Sequence, residues 1–352
     1  MAMKTIVALP GEGIGLEVVD ATCGLLMGTG LPLKILTPPQ GSPLPEETKQ
    51  AAREADGVLF GAAGPSTSAV VSWLRWEMSA WAGVRPIRFF PGMRSPLADP
   101  DGIDYILLRE NSEGLYPGRE GDLADLINVL PDLSDKTGRK VKDFGDEGRF
   151  AVKIVTPRGA ERIARFACDL AIKRKARGKP GKVTCITKSN VLPRTDGLYQ
   201  QTAERIVREA GLQFEHFHVD DAARRLVRFP KSMDVVLCMN LYGDILSDLG
   251  AETAGGLGLA PSGNFGDDGW AYFESVHGSA PDIAGKGIAN PIGQIWCGAM
   301  MLEHLGHADA GAAVLETIER VLAAGPGHAP LTRDIGGTAS TADLGQAIAE
   351  AL

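Results

Sequence analysis

Asp244 and Asp248 lie four residues apart in the octet Leu-Tyr-Gly-Asp-Ile-Leu-Ser-Asp at 241–248. On a helix that spacing stacks both carboxylates on one face. Like charges so placed repel unless a cation sits between them, and oxygen ligands of this kind suit Mg²⁺ or Mn²⁺. A solvated helix face carrying two unrelated acids is the alternative. Three arginines point to a second kind of chemistry. Arg75 stands in Trp-Leu-Arg-Trp-Glu, on a predicted helix. Arg85 precedes Pro86, which biases its backbone towards extended. Arg109 ends the predicted strand Tyr105–Leu108, at the edge where open α/β sheets place ligands. Guanidinium groups hold carboxylates bidentately, and a di- or tricarboxylate needs several of them. Taken singly, each arginine fits a surface ion pair equally well.

The elements that must position these residues alternate between strand and helix. Short β-rich runs occur at 3–9, Gly57–Phe60, Tyr105–Leu108, Ala151–Val155, Val183–Thr187 and Val235–Met239. Helical periodicity starts near Leu16 and returns at 158–177, 196–210, 296–305 and 341–352. This predicts an α/β protein with a largely parallel sheet. The segment 117–149 is Gly-rich and charged, and fits either a surface loop or an arm that pairs with another subunit. Gly11-Glu-Gly-Ile-Gly15 follows the first strand. Its spacing is GxGxG, not GxGxxG, so a dinucleotide fingerprint is weakly supported. A tight turn and a phosphate contact both remain open.

Composition narrows the partners. The 352 residues suffice for two domains. Hydrophobic residues make up 44% and charged residues 23%, an ordinary globular balance. The net charge of −8 argues against a broad nucleic-acid surface, so an anionic substrate must be met by a local Arg or Lys cluster. Five cysteines without a CxxC pair predict reduced thiols and a cytoplasmic setting. No signal-peptide pattern opens the sequence, and no apolar run reaches the roughly 18–20 residues of a membrane helix.

Taken together the segments resemble the β-decarboxylating dehydrogenases: the isocitrate, homoisocitrate, 3-isopropylmalate and tartrate/D-malate enzymes. The most specific string is Val-His-Gly-Ser-Ala-Pro-Asp-Ile-Ala-Gly-Lys-Gly-Ile-Ala-Asn-Pro at 276–291, similar to the family's nucleotide-binding loop. Asn-Leu-Tyr-Gly-Asp-Ile-Leu-Ser-Asp at 240–248 is similar to its metal segment. Leu-Arg-Glu-Asn-Ser-Glu-Gly-Leu-Tyr at 108–116, Lys188-Ser-Asn190 and His218-Val-Asp220 match three further motifs, in the family's order. The ten-residue separation of Arg75 and Arg85 also fits. Glu12 and Leu16 depart from the usual Asp and Pro of the first loop.

The resemblance implies an isocitrate/isopropylmalate dehydrogenase-like fold, not a Rossmann fold. It implies a large discontinuous nucleotide-binding domain (1–90 and 255–352) and a small domain (91–254). NAD would lie against Ile14, Glu274, His277, Gly278, Ser279, Ala280, Asp282 and Asn290. Asp282 would favour NAD⁺ over NADP⁺, because a 2′-phosphate there would meet like charge. The family pattern makes Asp220, Asp244 and Asp248 metal ligands and Tyr116, Lys188 and Asp220 catalytic. It implies a homodimer in which each site takes Lys188 and Asp220 from the other subunit. Arg75, Arg85 and Arg109 would hold a (2R)-hydroxy acid bearing a carboxylate at C3, with Val71 and Ser72 facing its C3 substituent. Ala69 and Val71 stand where an isocitrate enzyme would carry Ser and Asn, which disfavours isocitrate. Malate/tartrate, isopropylmalate and homoisocitrate types stay open. A non-catalytic regulatory subunit would be expected to lose site residues, yet Tyr116, Lys188, Asp220, Asp244 and Asp248 are all present.

Overall fold

The computed structural model describes residues 2–352. The first part of the chain runs β1 (Lys4–Gly11), α1 (Gly15–Gly28), β2 (Leu33–Leu36), α2 (Glu46–Glu54), β3 (Gly57–Ala62), α3 (Ser68–Ser72), β4 (Ala82–Arg88) and β5 (Asp104–Glu110). The middle runs β6 (Glu120–Asp122), α4 (Leu123–Val129), β7 (Arg149–Ala151), α5 (Pro157–Ala176), β8 (Lys182–Thr187), α6 (Thr195–Glu209), β9 (Gln213–His218) and α7 (Val219–Arg228). The last part runs β10 (Val235–Cys238), α8 (Asn240–Thr253), β11 (Pro261–Phe265), β12 (Ala271–Ser275), α9 (Ile292–His304), α10 (Ala308–Ala324) and α11 (Thr341–Glu350).

Ten strands form one sheet in the order β2-β1-β3-β12-β11-β4-β5-β10-β8-β9. Both wings are parallel, as the alternating pattern predicts. The centre is not: β11 is antiparallel to β12 and β4, and β4 to β5. Alternate residues of each strand enter different cores. Ile6 and Ala8 face Val19, Leu25, Leu26 and Ile295, whereas Val7 and Leu9 face Val58, Phe60, Trp73 and Leu74. In the other wing Val183, Cys185, Val235 and Leu237 pack with Ile163 of α5 and Tyr199 and Ile206 of α6. Ile186, Val236 and Cys238 pack on the opposite face with Leu226 of α7 and Leu246 of α8. Each of the buried Val, Leu, Ile and Phe side chains among these contributes about 1.5–3 kcal/mol.

Two local expectations need correction. Residues 151–155 are not a strand of the main sheet. Strand β7 stops at Ala151 and pairs with β6 in a two-stranded ribbon, and Ile154 makes only an isolated bridge with Gly114. The alternating Val152 and Ile154 are 39% and 38% exposed, so the pattern marks no buried face. Arg75 is not on a regular α-helix: after five residues α3 widens into a π-type turn over Trp73–Glu77. The terminal helix is capped as read, with Ser340 and Asp343 forming a capping box. All five cysteines are free. Among the described residues no helix is long and apolar enough to cross a membrane.

Candidate active site

Arg85 and Arg109 project from the adjacent antiparallel strands β4 and β5, and β10 lies beside β5 and hands the chain to α8. The Arg109 guanidinium donates from Nε and Nη2 to Asn240 Oδ1 at 2.9 and 2.7 Å, and from Nη1 to Asp244. Arg85 donates to Ser247 Oγ and, at 3.4 Å, to Asp244. A Cβ at Gly243 would come within 2.8 Å of Arg109 Cγ, so only glycine lets this helix approach the arginine. Arg75 reaches in from the π-type turn and pairs with Glu274 of β12 at 3.2 Å. The Tyr116 ring lies over Arg109 at 4.6 Å and near Arg75 at 6.0 Å.

All three arginines are buried, yet Arg75 and Arg85 each keep an Nε with no partner. A buried guanidinium nitrogen without an acceptor is costly unless a ligand supplies one. Burial and the neighbouring Arg85 and Arg75 lower the Arg109 pKa to about 10. The cluster therefore favours an anion carrying several oxygens. Asp248, one turn beyond Asp244, makes no hydrogen bond or ion pair among the described residues. Burial raises its carboxyl above the ordinary range; Arg85 opposes this and the Asp244 charge adds to it. Two carboxylates on one face, one of them unpartnered, fit an oxygen-bound divalent cation.

Lys188 and Asp220 form a second group. They pair with each other, and the Lys188 hydrogen bond holds the Asp220 carboxyl below its usual range. Among the described residues no hydrogen bond or ion pair joins them to Tyr116, Arg109 or Asp244. Among the described residues no three His, Cys, Asp or Glu side chains cluster as a metal site.

The third group surrounds the glycine loop. Gly13 has φ +62°, and a Cβ there would sit 2.0 Å from the Ser279 carbonyl oxygen. Ile14 N–H donates to that carbonyl at 3.0 Å, and Ser279 N–H donates to Ala63 O at 3.1 Å. The glycines thus let two backbone segments of the protein meet, which accounts for them without a phosphate. Glu12 accepts from Ser66 N–H at 3.0 Å and fastens a third loop. His277 bonds Gly278 O through Nδ1 at 3.1 Å, whereas its buried Nε2 has no partner. Burial holds its pKa below 6.5. Ala280 has φ +41°, a strained value for a non-glycine residue. Gly278 and Asp282 are exposed, and Asp282 makes no hydrogen bond or ion pair among the described residues. The free His277 nitrogen and open Asp282 carboxylate fit the polar edges of a nucleotide.

Two residues assigned to the cofactor are engaged elsewhere. Asn290 donates to Asp334 at 2.9 Å and accepts from Ile292 N–H at 3.0 Å. Glu274 is buried beneath Arg75 and also takes Asn264 at 3.3 Å and the Tyr272 hydroxyl at 3.2 Å. Val71 and Ser72 are half-buried on α3, just before Arg75. Asn240 and Ser247, which hold Arg109 and Arg85, were not singled out from the sequence. Their helical spacing about Asp244 (i−4 and i+3) was the available signal.

The sequence profile of a family described as isocitrate/isopropylmalate dehydrogenase matches residues 5–348. The chain is 40% identical over 357 residues to a 3-isopropylmalate/3-methylmalate dehydrogenase of Methanocaldococcus jannaschii, covering 99% of this chain and 98% of that protein. It is 39% identical over 365 residues to an isocitrate/homoisocitrate dehydrogenase of Thermus thermophilus, covering 99% and 98%. The crystal structure of an isocitrate dehydrogenase from Methylococcus capsulatus superposes with a TM-score of 0.84 at 35% identity over 99% of both chains. With its arginine cluster, aspartate helix and matching profile from end to end, the chain belongs to the isocitrate/isopropylmalate dehydrogenase family and is an oxidative decarboxylating dehydrogenase of hydroxy acids.

Proposed function

We propose that the enzyme oxidises and decarboxylates a (2R)-hydroxy acid carrying a carboxylate at C3, with NAD⁺ as hydride acceptor and Mg²⁺ or Mn²⁺ as the resident cation. The observation that carries this reading is the buried trio Arg75, Arg85 and Arg109: Arg85 and Arg109 pair with Asp244, and the Tyr116 ring lies over Arg109 and near Arg75. The arginines bind and orient the carboxylates. Asp244 and Asp248, joined by the partner subunit's Asp220, hold the cation. When bound, the cation supplies Lewis-acid polarisation of the oxygen on C2. Lys188, lent by the neighbouring subunit, accepts the proton of that hydroxyl as hydride leaves C2. Tyr116, 37% exposed above Arg109, returns a proton to C3 after CO₂ departs.

The loop from His277 to Asp282 takes the adenosine part of NAD⁺, with Asp282 on the ribose hydroxyls. The nucleotide domain is 1–90 with 255–352, and the small domain is 91–254. A homodimer covers apolar side chains left open in one chain: Val129, Leu130, Leu133 and Phe144 of the arm, and Ile245 of α8. Free cysteines support a reducing, cytoplasmic setting.

Ala69, Val71 and Ser72 offer no cation and little hydrogen bonding to a third carboxylate. A 3-alkylmalate, D-malate or tartrate type of substrate is favoured over isocitrate; the M. jannaschii relative is named for 3-isopropylmalate and 3-methylmalate. Initial rates of NADH formation with Mn²⁺ test this across malate, tartrate, isocitrate, homoisocitrate and 3-isopropylmalate. The highest kcat/KM is expected for an acid with a small or apolar C3 group. A clear preference for isocitrate would overturn the substrate assignment.

A further inference from the structure

Asp196 has no part in the reaction above, yet it is fully buried at the start of α6 and is approached by groups from three site elements. Its Oδ2 accepts the backbone N–H of Lys188 at 2.7 Å and the Tyr242 hydroxyl at 3.2 Å. Its Oδ1 pairs with Lys153 Nζ and accepts the Thr195 hydroxyl at 3.2 Å. Lys153 is largely buried too, with its ammonium 5.0 Å from the centre of the Tyr242 ring. Lys188 sits in the loop after β8. Lys153 sits in the stretch joining the arm to α5. Tyr242 sits on α8, two residues before Asp244. Holding a helix start needs one acceptor oxygen, as any Ser or Asn provides. A buried carboxylate with its own buried lysine is a costlier device, and removing either partner alone leaves an uncompensated charge. What the carboxylate adds is a second oxygen, so that one side chain grips the Lys188 backbone and α8 together.

We propose that Asp196 is a positioning residue, which rests on Lys188 being the proton acceptor proposed above. It fixes the main chain of Lys188, which is lent to the neighbouring subunit's site, and ties it to α8, whose Asp244 and Asp248 serve this chain's own site, while Lys153 neutralises its charge. The Lys188 side chain runs from this anchor to its pairing with the exposed Asp220. Without Asp196 the Lys188 main chain is held only at its carbonyl, which accepts the Val191 and Leu192 N–H groups at 2.9 Å, and its N–H and the link to α8 are lost.

Two double variants separate positioning from a merely structural role. Lys153→Met with Asp196→Asn keeps an oxygen for the Lys188 N–H; Lys153→Met with Asp196→Leu does not. Both remove the buried charges together; the Leu variant also leaves the Lys188 N–H without its acceptor, so it should melt lower, and kcat is compared at a temperature where both variants are folded. The Leu variant should have a kcat at least about tenfold below that of the Asn variant, since small displacements of a reacting group cost about that much or more. KM for NAD⁺ should be the same in both. Equal kcat values would overturn the proposal. Should the Leu variant not fold, Tyr242→Phe carries the test, because it removes only the α8 link. A kcat loss of about threefold at unchanged KM for NAD⁺ is expected there, and unchanged kcat overturns the proposal. Lys188→Ala measured in parallel tells the two failures apart. If it keeps turnover, the role given to Lys188 falls; if it abolishes turnover while the Asn and Leu variants match, only the role of Asp196 falls.

Discussion

Replacing Asp248 with Asn should leave the metal-free protein as stable as before, or slightly more so, and remove most of the stabilisation that Mn²⁺ gives. Asp248 has no hydrogen-bond partner among the described residues, and burial together with the Asp244 charge raises its carboxyl above the ordinary 3.8. A like-charge pair at that helical spacing costs about 0.2–0.5 kcal/mol, which the variant recovers. Folded protein therefore holds this proton more tightly than unfolded chain. Stability of the metal-free form falls as pH rises above the ordinary carboxylate range, and the variant lacks that fall. Mn²⁺ reverses the sign. At a hundred times its dissociation constant, a ligand that binds only the folded state adds about 2.7 kcal/mol. Unfolding entropy is about 2.1 cal/mol/K per residue, so a chain of 352 residues gains about 4 °C in melting midpoint. If loss of one carboxylate weakens the metal a hundredfold, the gain shrinks to about 0.4 kcal/mol, under about 1 °C. Calorimetry with EDTA, with Mn²⁺ and with NAD⁺, in the presence of the hydroxy acid, reads all three terms. Equal Mn²⁺ shifts in native protein and variant would refute the reasoning. So would a parallel loss of the NAD⁺ shift.

Other perturbations follow from the same contacts. Glu274→Gln strips the charge from a buried pair whose side chains are 8% and 9% exposed. Because Gln keeps an acceptor oxygen, the loss should be about 3 kcal/mol, at the low end for a broken buried pair, or about 4 °C in the melting midpoint. KM for the hydroxy acid should rise as Arg75 loses its orientation; unaltered melting and KM would contradict the pairing. Asp282→Lys with Ile283→Tyr should move the NAD⁺/NADP⁺ ratio of kcat/KM at least about tenfold towards NADP⁺, since one charge at 4 Å is worth about 1 kcal/mol even in water. An unchanged ratio would remove Asp282 from the nucleotide site. Burial holds His277, His216 and His304 below 6.5. Below that value the unfolded chain takes up protons first, so this contribution is present above about pH 6.5 and is lost as pH falls. The urea midpoint should drop on acidification through that window, less steeply in His304→Gln; a rising midpoint would contradict it.

What could be seen in the sequence was what local chemistry dictates. Asp244 and Asp248 share a face because α8 forms where the strand-to-helix pattern places it. Arg85 is extended because Pro86 follows. The antiparallel centre was hidden for a physical reason. Strands β11 (Pro-Ser-Gly-Asn-Phe) and β12 (Ala-Tyr-Phe-Glu-Ser) are buried on both faces. They therefore show no polar–apolar alternation, and they contain the small and polar residues that elsewhere mark turns. Val152 and Ile154 gave the opposite error: alternation without a neighbouring strand to use it. Glu274 stands next to the nucleotide loop in sequence, yet it pairs with Arg75, 199 residues away. No local pattern encodes such a pairing. The need for Gly13 is likewise tertiary, set by a Ser279 carbonyl that only the fold brings near.

The arginine–aspartate site is proposed to couple oxidation to decarboxylation. That coupling is tested most directly by following NADH and CO₂ together, with the best acid of the panel, before and after EDTA. Equimolar NADH and CO₂ are expected, both abolished by EDTA and both restored by Mn²⁺. NADH without CO₂, or turnover indifferent to EDTA, would contradict it.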